Sequence, residues 1–131
     1  MKKSILSVLL VICAVLLILP AVAFADGETV YARCGDYLDW TIDSFGTLTV
    51  SGTGEMYDFL PVEGDRERIN TAPWGSIAQY VSRVVVSEGV TTVGRSAFQG
   101  FERLESVTIG RDVEVIGASA FEDCVNLSTV Q

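Results

Sequence analysis

The stretch SAFQGFERLESVTI, from Ser96 to Ile109, returns as SAFEDCVNLSTVQ from Ser119 to Gln131. Aligned at an offset of 23, the copies agree at Val90/Val113, Gly94/Gly117, Ser96/Ser119, Ala97/Ala120, Phe98/Phe121, Leu104/Leu127 and Val107/Val130. The agreement is confined to apolar and small positions, while Arg95/Ala118, Glu102/Val125 and Arg103/Asn126 drift. A chain that fixes its inner residues and frees its outer ones at a constant short period stacks identical turns. The ladder also reaches backwards, because Val81, Val84 and Val86 precede Leu104, Val107 and Ile109 by the same interval.

Stacked coils lie about 4.8 Å apart, like neighbouring strands. At that spacing Ala97/Ala120 let backbones approach, Phe98 stands over Phe121, and Gly94/Gly117 suit a bend or a close backbone contact. Leu104/Leu127 and Val107/Val130 are expected to point inward. Strand alternation then sends Arg83, Val85, Ser106 and Thr108 to the outer face of a small parallel sheet, the candidate partner surface.

Before the repeats, Leu38, Trp40 and Ile42 alternate with polar residues, Asp43-Ser44-Phe45-Gly46 reads as a turn, and Thr47 to Ser51 alternates again. This predicts a β-hairpin. Residues 60–73 are polar, with two prolines, and read as a loop. Trp74 is expected to pack back onto the hairpin.

The N-terminus carries Lys2-Lys3, an apolar run from Ile5 to Leu19, Pro20 and then Ala23-Phe24-Ala25. That order describes a secretory signal peptide cut after Ala25, and is preferred to an uncleaved anchor because of Pro20 and the Ala-x-Ala site. Its removal takes both lysines. Seven arginines then face 17 acidic residues, a net charge of −10, where the full chain has −8. Such a surface speaks against nucleic acid as a partner and against any membrane role beyond export. The exported compartment permits a disulfide between Cys34 and Cys124, but Cys124 occupies the position of Phe101 one copy earlier, which favours two free thiols in apolar sites.

The composition removes most catalysis. There is no histidine, so the commonest general base and zinc ligand are missing. The mature chain has no lysine for Schiff-base chemistry. Gly52-Thr53-Gly54 lacks the third glycine and the helix of a dinucleotide site. Asp36, Asp39 and Asp43 are read as solvated, with Asp36 and Asp39 on opposite faces. Neither Asp36–Asp43 nor Asp58–Asp65 has a calcium-loop spacing. Asn126-Leu127-Ser128 is a glycosylation triplet whose middle residue is a core position. The expectation is a non-enzyme without cofactor or metal.

Residues 89–109, GVTTVGRSAFQGFERLESVTI, resemble the BspA-like, treponemal-type leucine-rich repeat, whose usual form reads V-x-x-I-G-x-x-A-F-x-x-C-x-x-L-x-x-V-x-I/L. Residues 112–130 match as well, with Cys124 at the cysteine position, where the first copy has Phe101. The string C-G-x-x-L-x-W at Cys34–Trp40 is similar to the β-rich leader that often precedes such repeats. The resemblance implies a mainly β fold, in which a hairpin cap is followed by a short leucine-rich-repeat solenoid with a small parallel sheet. The expected divisions are a signal peptide at 1–25, the cap at 26–60, a polar loop at 61–76 and the repeats at 77–131. It implies a secreted or cell-surface module that adheres to extracellular proteins or glycans. The alternatives are a non-catalytic leader of a larger secreted enzyme or wall protein, and a truncated product without independent function. Because the last copy stops on its strand, a longer repeat protein is the expectation; a complete chain would self-associate through its open C-terminal coil.

Overall fold

The computed structural model describes residues 33–60 and 71–131, and the backbone of the antiparallel pair β1 (Ala23–Ala25) and β2 (Glu28–Val30). The segment read as a signal peptide lies outside the described residues except for Ala23–Ala25.

The hairpin forms as its alternation predicts. Strand β3 (Leu38–Ile42) buries Leu38 and Trp40, and β4 (Thr47–Gly52) buries Leu48 and Val50. They pair antiparallel from Leu38↔Gly52 to Ile42↔Leu48. The Asp43 carboxylate closes the turn by accepting the amides of Phe45 (2.8 Å) and Thr47 (3.0 Å). Gly46 supplies the left-handed residue at φ 82°, a conformation that costs glycine nothing.

Strand β4 also pairs in parallel with β6 (Arg83–Val86), in register from Thr47↔Arg83 to Val50↔Val86. The column continues through β8 (Ser106–Ile109) to β10 (Thr129–Val130). The result is a five-stranded sheet ordered β10-β8-β6-β4-β3, parallel except for β3. A second parallel sheet, ordered β5-β7-β9, stacks Gly54–Glu55, Val90–Val93 and Val115–Ile116.

The hairpin thus does more than cover the first coil: its second half is a coil itself. Leu48 and Val84 pair although 36 residues apart, and Glu55 and Thr92 although 37 apart, whereas Val84 and Val107 are 23 apart. By Trp74, which stacks on Phe98, the interval is 24. The extra residues therefore enter between Phe59 and Trp74. The carbonyl of Gly46 takes the amides of Ser82 and Arg83, as that of Ser82 takes Glu105 and Ser106, and that of Glu105 takes Ser128 and Thr129. One backbone position does the same work in successive coils.

Between the sheets runs one continuous core from Cys34 to Ala120. Its spine is aromatic. Trp74, Phe98 and Phe121 stack nearly parallel, with centroids 5.1 Å and 5.4 Å apart. Trp74 also meets Trp40 and Phe59 edge-on, at 5.7 Å and 5.6 Å. It packs onto the hairpin as expected and in addition heads the column. Its indole N–H donates to the carbonyl of Ala97 at 2.7 Å, satisfying a donor that burial would otherwise strand.

Gly94 resolves to the close contact rather than the bend. A Cβ there would lie 1.8 Å from the carbonyl oxygen of Tyr57. The bend belongs to Ser96 and Ser119, at φ 55° and 59°. Inward placement weakens along the last coil. Phe121 and Leu127 are half-buried, and Val130 pairs with Val107 yet is 63 % exposed.

Candidate binding surface

Because side chains on a strand alternate, filling the core with Leu48, Val50, Val84, Val86 and Val107 leaves their neighbours on the far face. The register then sets these in rows. Thr47, Arg83, Ser106 and Thr129 are successive Cα partners across β4, β6, β8 and β10. Thr41, Thr49, Val85 and Thr108 form the next row across β3, β4, β6 and β8. The four residues singled out in the sequence, Arg83, Val85, Ser106 and Thr108, are adjacent rungs on this open face. Arg83 and Thr108 are exposed, and Val85 and Ser106 half-buried.

Chemically the face is a field of hydroxyl groups around one guanidinium. Arg83, Ser106, Thr108, Thr129 and Gln131 line a shallow depression of about 300 Å³. Among the described residues Arg83 has no carboxylate partner; the ion pair found, Arg111 to Glu88 at 3.1 Å, lies elsewhere and is exposed. The rim by the hairpin turn adds aromatic surface. Phe45 is 87 % exposed and Tyr80 is 53 % exposed, and the Tyr80 carbonyl packs directly on Gly46, beside Phe45. The threonines of β3 and β4 and this rim escape a reading based on the 23-residue period, because the hairpin coil precedes the next one by 36 residues instead of 23. A search for alternation on both strands could have found Thr41, Thr47 and Thr49.

The acidic residues have other duties. Asp43 holds the turn. Asp58 accepts the amide of Arg95 at 2.8 Å, and Asp112 accepts that of Gly89 at 2.8 Å. Asp36 accepts the Tyr57 hydroxyl at 2.5 Å, while Asp39 stands exposed on β3. Asp65 lies outside the described residues. Among the described residues no three His, Cys, Asp or Glu side chains come together as metal ligands. The side-chain amide of Asn126 donates to the carbonyl of Glu102 at 2.5 Å, so the glycosylation triplet is engaged in coil stacking.

Among the described residues both cysteines are free, Cys34 buried and Cys124 half-buried. Burial, reinforced by the Asp39 charge, pushes the Cys34 thiol up to about 12, against the pull of a backbone hydrogen bond. Burial likewise raises Cys124, whose sulfur donates to the carbonyl of Phe98 at 3.2 Å. Neither is a ready nucleophile at neutral pH. No helix among the described residues is long and apolar enough to cross a membrane.

The family model described as "BspA type leucine rich repeat region (6 copies)" matches residues 77–131. No curated protein matches the chain significantly. Among solved structures, the chain is similar to a leucine-rich repeat protein from Eubacterium ventriosum, with a TM-score of 0.65 and 28 % sequence identity. The match covers 75 % of this chain and 24 % of that one, so the chain spans about a quarter of the solved protein's length. Such repeats and such a neighbour are typical of non-catalytic proteins. Residues 77–131 thus match the BspA-type leucine-rich-repeat model, and they stack on a β-hairpin in one small solenoid similar to that of a known leucine-rich repeat protein.

Proposed function

We propose that this chain is a binding module of an exported or cell-surface protein, and that it holds an extracellular protein partner on the open face of the five-stranded sheet. The observation that carries the reading is the register of β6 against β8. It sets Arg83 beside Ser106 and Val85 beside Thr108, while the core is filled entirely from the other side of the same strands. Side chains on this face are free to change without touching the stack. Arginine and aromatic side chains carry a large share of binding energy in protein interfaces, and here Arg83 stands within a hydroxyl row, with Phe45 and Tyr80 exposed near the hairpin turn. The repeat type and the Lys2–Ala25 segment support the exported location.

The test is binding of the full chain to immobilised extracellular-matrix proteins. Arg83→Glu combined with Thr108→Arg reverses one charge and adds bulk to a face that contributes nothing to the core. Affinity for a bound protein is expected to fall at least about tenfold, or ~1.4 kcal/mol, with an unchanged melting temperature. Unchanged affinity in the double variant assigns the partner to another surface.

A further inference from the structure

At the end of β3 away from the hairpin turn, the chain builds a second polar depression that the sheet face does not use. Arg33, Asp36, Tyr37, Leu38 and Asp39 line it, with a volume of about 340 Å³. We propose that it binds a neutral sugar.

The backbone here is tied to two neighbouring segments. Gly35 bridges to both Leu38 and Met56. The Tyr37 carbonyl accepts the amide of Thr53 at 3.2 Å, and a Cβ on Gly52 would lie only 2.1 Å from that oxygen. On this support the Tyr37 ring is 79 % exposed. A phenol ring held in water beside a polar pocket offers a flat apolar face that no part of the core needs. Next to it Asp36 is oriented from two directions: its carboxylate accepts the Tyr57 hydroxyl at 2.5 Å, and its carbonyl accepts an Arg33 guanidinium N–H at 2.9 Å. The hydrogen bond to Asp36 holds the Tyr57 phenol above its ordinary range, since ionisation would set two anions together. Tyr57 therefore remains a donor across neutral pH and keeps Asp36 in place. Asp39, exposed and read from alternation as facing away from Asp36, lines the same depression.

A sugar ring matches this arrangement atom class by atom class. Its C–H face stacks on an aromatic ring, and its rim of hydroxyls donates to carboxylates and accepts from a guanidinium. The charge decides which sugars. Two carboxylates stand against one cation already engaged with a backbone carbonyl, on a chain of net charge −8. Uronates, sialylated and sulfated glycans are repelled, and neutral hexoses and N-acetylhexosamines are accepted. A phosphate ligand is disfavoured for the same reason. The site is tested separately from the sheet-face reading, because none of its residues lies on β6 or β8, although Leu38 and Asp39 belong to β3 of the same sheet.

The experiment is ligand-observed saturation-transfer NMR on the full chain with neutral oligosaccharides of glucose, galactose, mannose and N-acetylglucosamine, titrated to about 10 mM, the range in which single-pocket binding of one small ligand is read. At least one is expected to bind, with saturation concentrated on one face of the ring. Tyr37→Ala and Asp39→Asn, both at exposed positions, are each expected to weaken binding at least about tenfold with the melting temperature unchanged. Arg83→Glu should leave it intact. Absence of binding by every neutral sugar, binding that survives Tyr37→Ala in a folded variant, or tighter binding of a sulfated or uronate oligosaccharide overturns the proposal.

Discussion

Phe98 is the residue whose loss the architecture should feel most, and the comparison with Phe121 makes the point testable. Both occupy the same repeat position, but their surroundings differ. Phe98 is fully buried and lies between two stacked rings, Trp74 at 5.1 Å and Phe121 at 5.4 Å, with Phe101 edge-on at 5.6 Å. Phe121 is half-buried and, among the described residues, stacks on Phe98 alone. Truncating a buried Phe to Ala costs about 3–5 kcal/mol through lost transfer energy and the cavity left behind. Each aromatic pair adds about 0.5–1.5 kcal/mol beyond area. Phe98→Ala is thus expected at or above the upper end of that range, on the order of 5 kcal/mol, comparable with the whole stability of a small domain. Phe121→Ala, with one stacking partner and half the burial, is expected at about 2 kcal/mol. Urea unfolding followed by tryptophan fluorescence reports both, since the chain's two tryptophans, Trp40 and Trp74, are buried in the same core. Equal costs for the two substitutions, with unchanged denaturant slopes, would refute the idea that the aromatic column transmits stability from the hairpin into the repeats.

Other consequences are equally direct. Gly94→Ala drives a methyl group against the Tyr57 carbonyl and is expected to cost ~1–3 kcal/mol by overpacking, seen as a lower urea midpoint. Ser119→Gly relieves a left-handed backbone at an exposed position and is expected to stabilise by about 0.5–1 kcal/mol, a rise in melting temperature that any fall would contradict. A thiol reagent at pH 8 should label Cys124 slowly and Cys34 more slowly still in the folded chain, and both fast in urea; rapid native labelling of Cys34 would contradict its burial. The folded Cys34 thiol holds its proton up to about 12, against an ordinary value of 9.0. Between those values the folded chain binds more protons than the unfolded one, so stability falls as pH rises, with a slope approaching ~1.4 kcal/mol per pH unit. Cys34→Ala should flatten that alkaline limb relative to the parent chain.

The period of the repeats and the identity of their inner residues were legible in the sequence because stacking imposes the same demand on each coil. Val84, Val107 and Val130 had to align, and Phe98 had to find Phe121. The hairpin was legible too, from the alternation at Leu38, Trp40, Leu48 and Val50. Hidden was the fact that the hairpin's second strand is the first coil, because an insertion before Trp74 breaks the constant interval on which the reading relied. For the same reason Trp74 could be assigned to the hairpin but not to the head of the aromatic column. The candidate surface was legible where the period held: Arg83, Val85, Ser106 and Thr108 followed from alternation, whereas alternation marks Thr41, Thr47 and Thr49 only as outward residues of a hairpin, and their place in the same rows is set by the register of β4 on β6. Left-handed conformations at Ser96 and Ser119 carry no signal in residue type, since serine tolerates that region without preferring it.

The two halves of this solenoid answer to different constraints. An inner position in a middle coil is tied to one above and one below, so a change at Phe98 or Gly94 must be accommodated by Trp74, Phe121 or the Tyr57 carbonyl. Outer positions on the five-stranded sheet lie off the core, on strands joined by a backbone ladder that any side chain can join. Arg83 sits among threonines and serines without disturbing Val84 or Val86, both fully enclosed. Binding chemistry can therefore be rewritten on this face at almost no cost to the fold. The hairpin end obeys the opposite rule: Tyr37, Asp36 and Tyr57 are held by Gly35, Gly52 and the Thr53 amide, so the chemistry there is fixed by backbone packing. A surface selected for changing partners belongs on the repeats, and one selected for a constant small ligand belongs on the hairpin end.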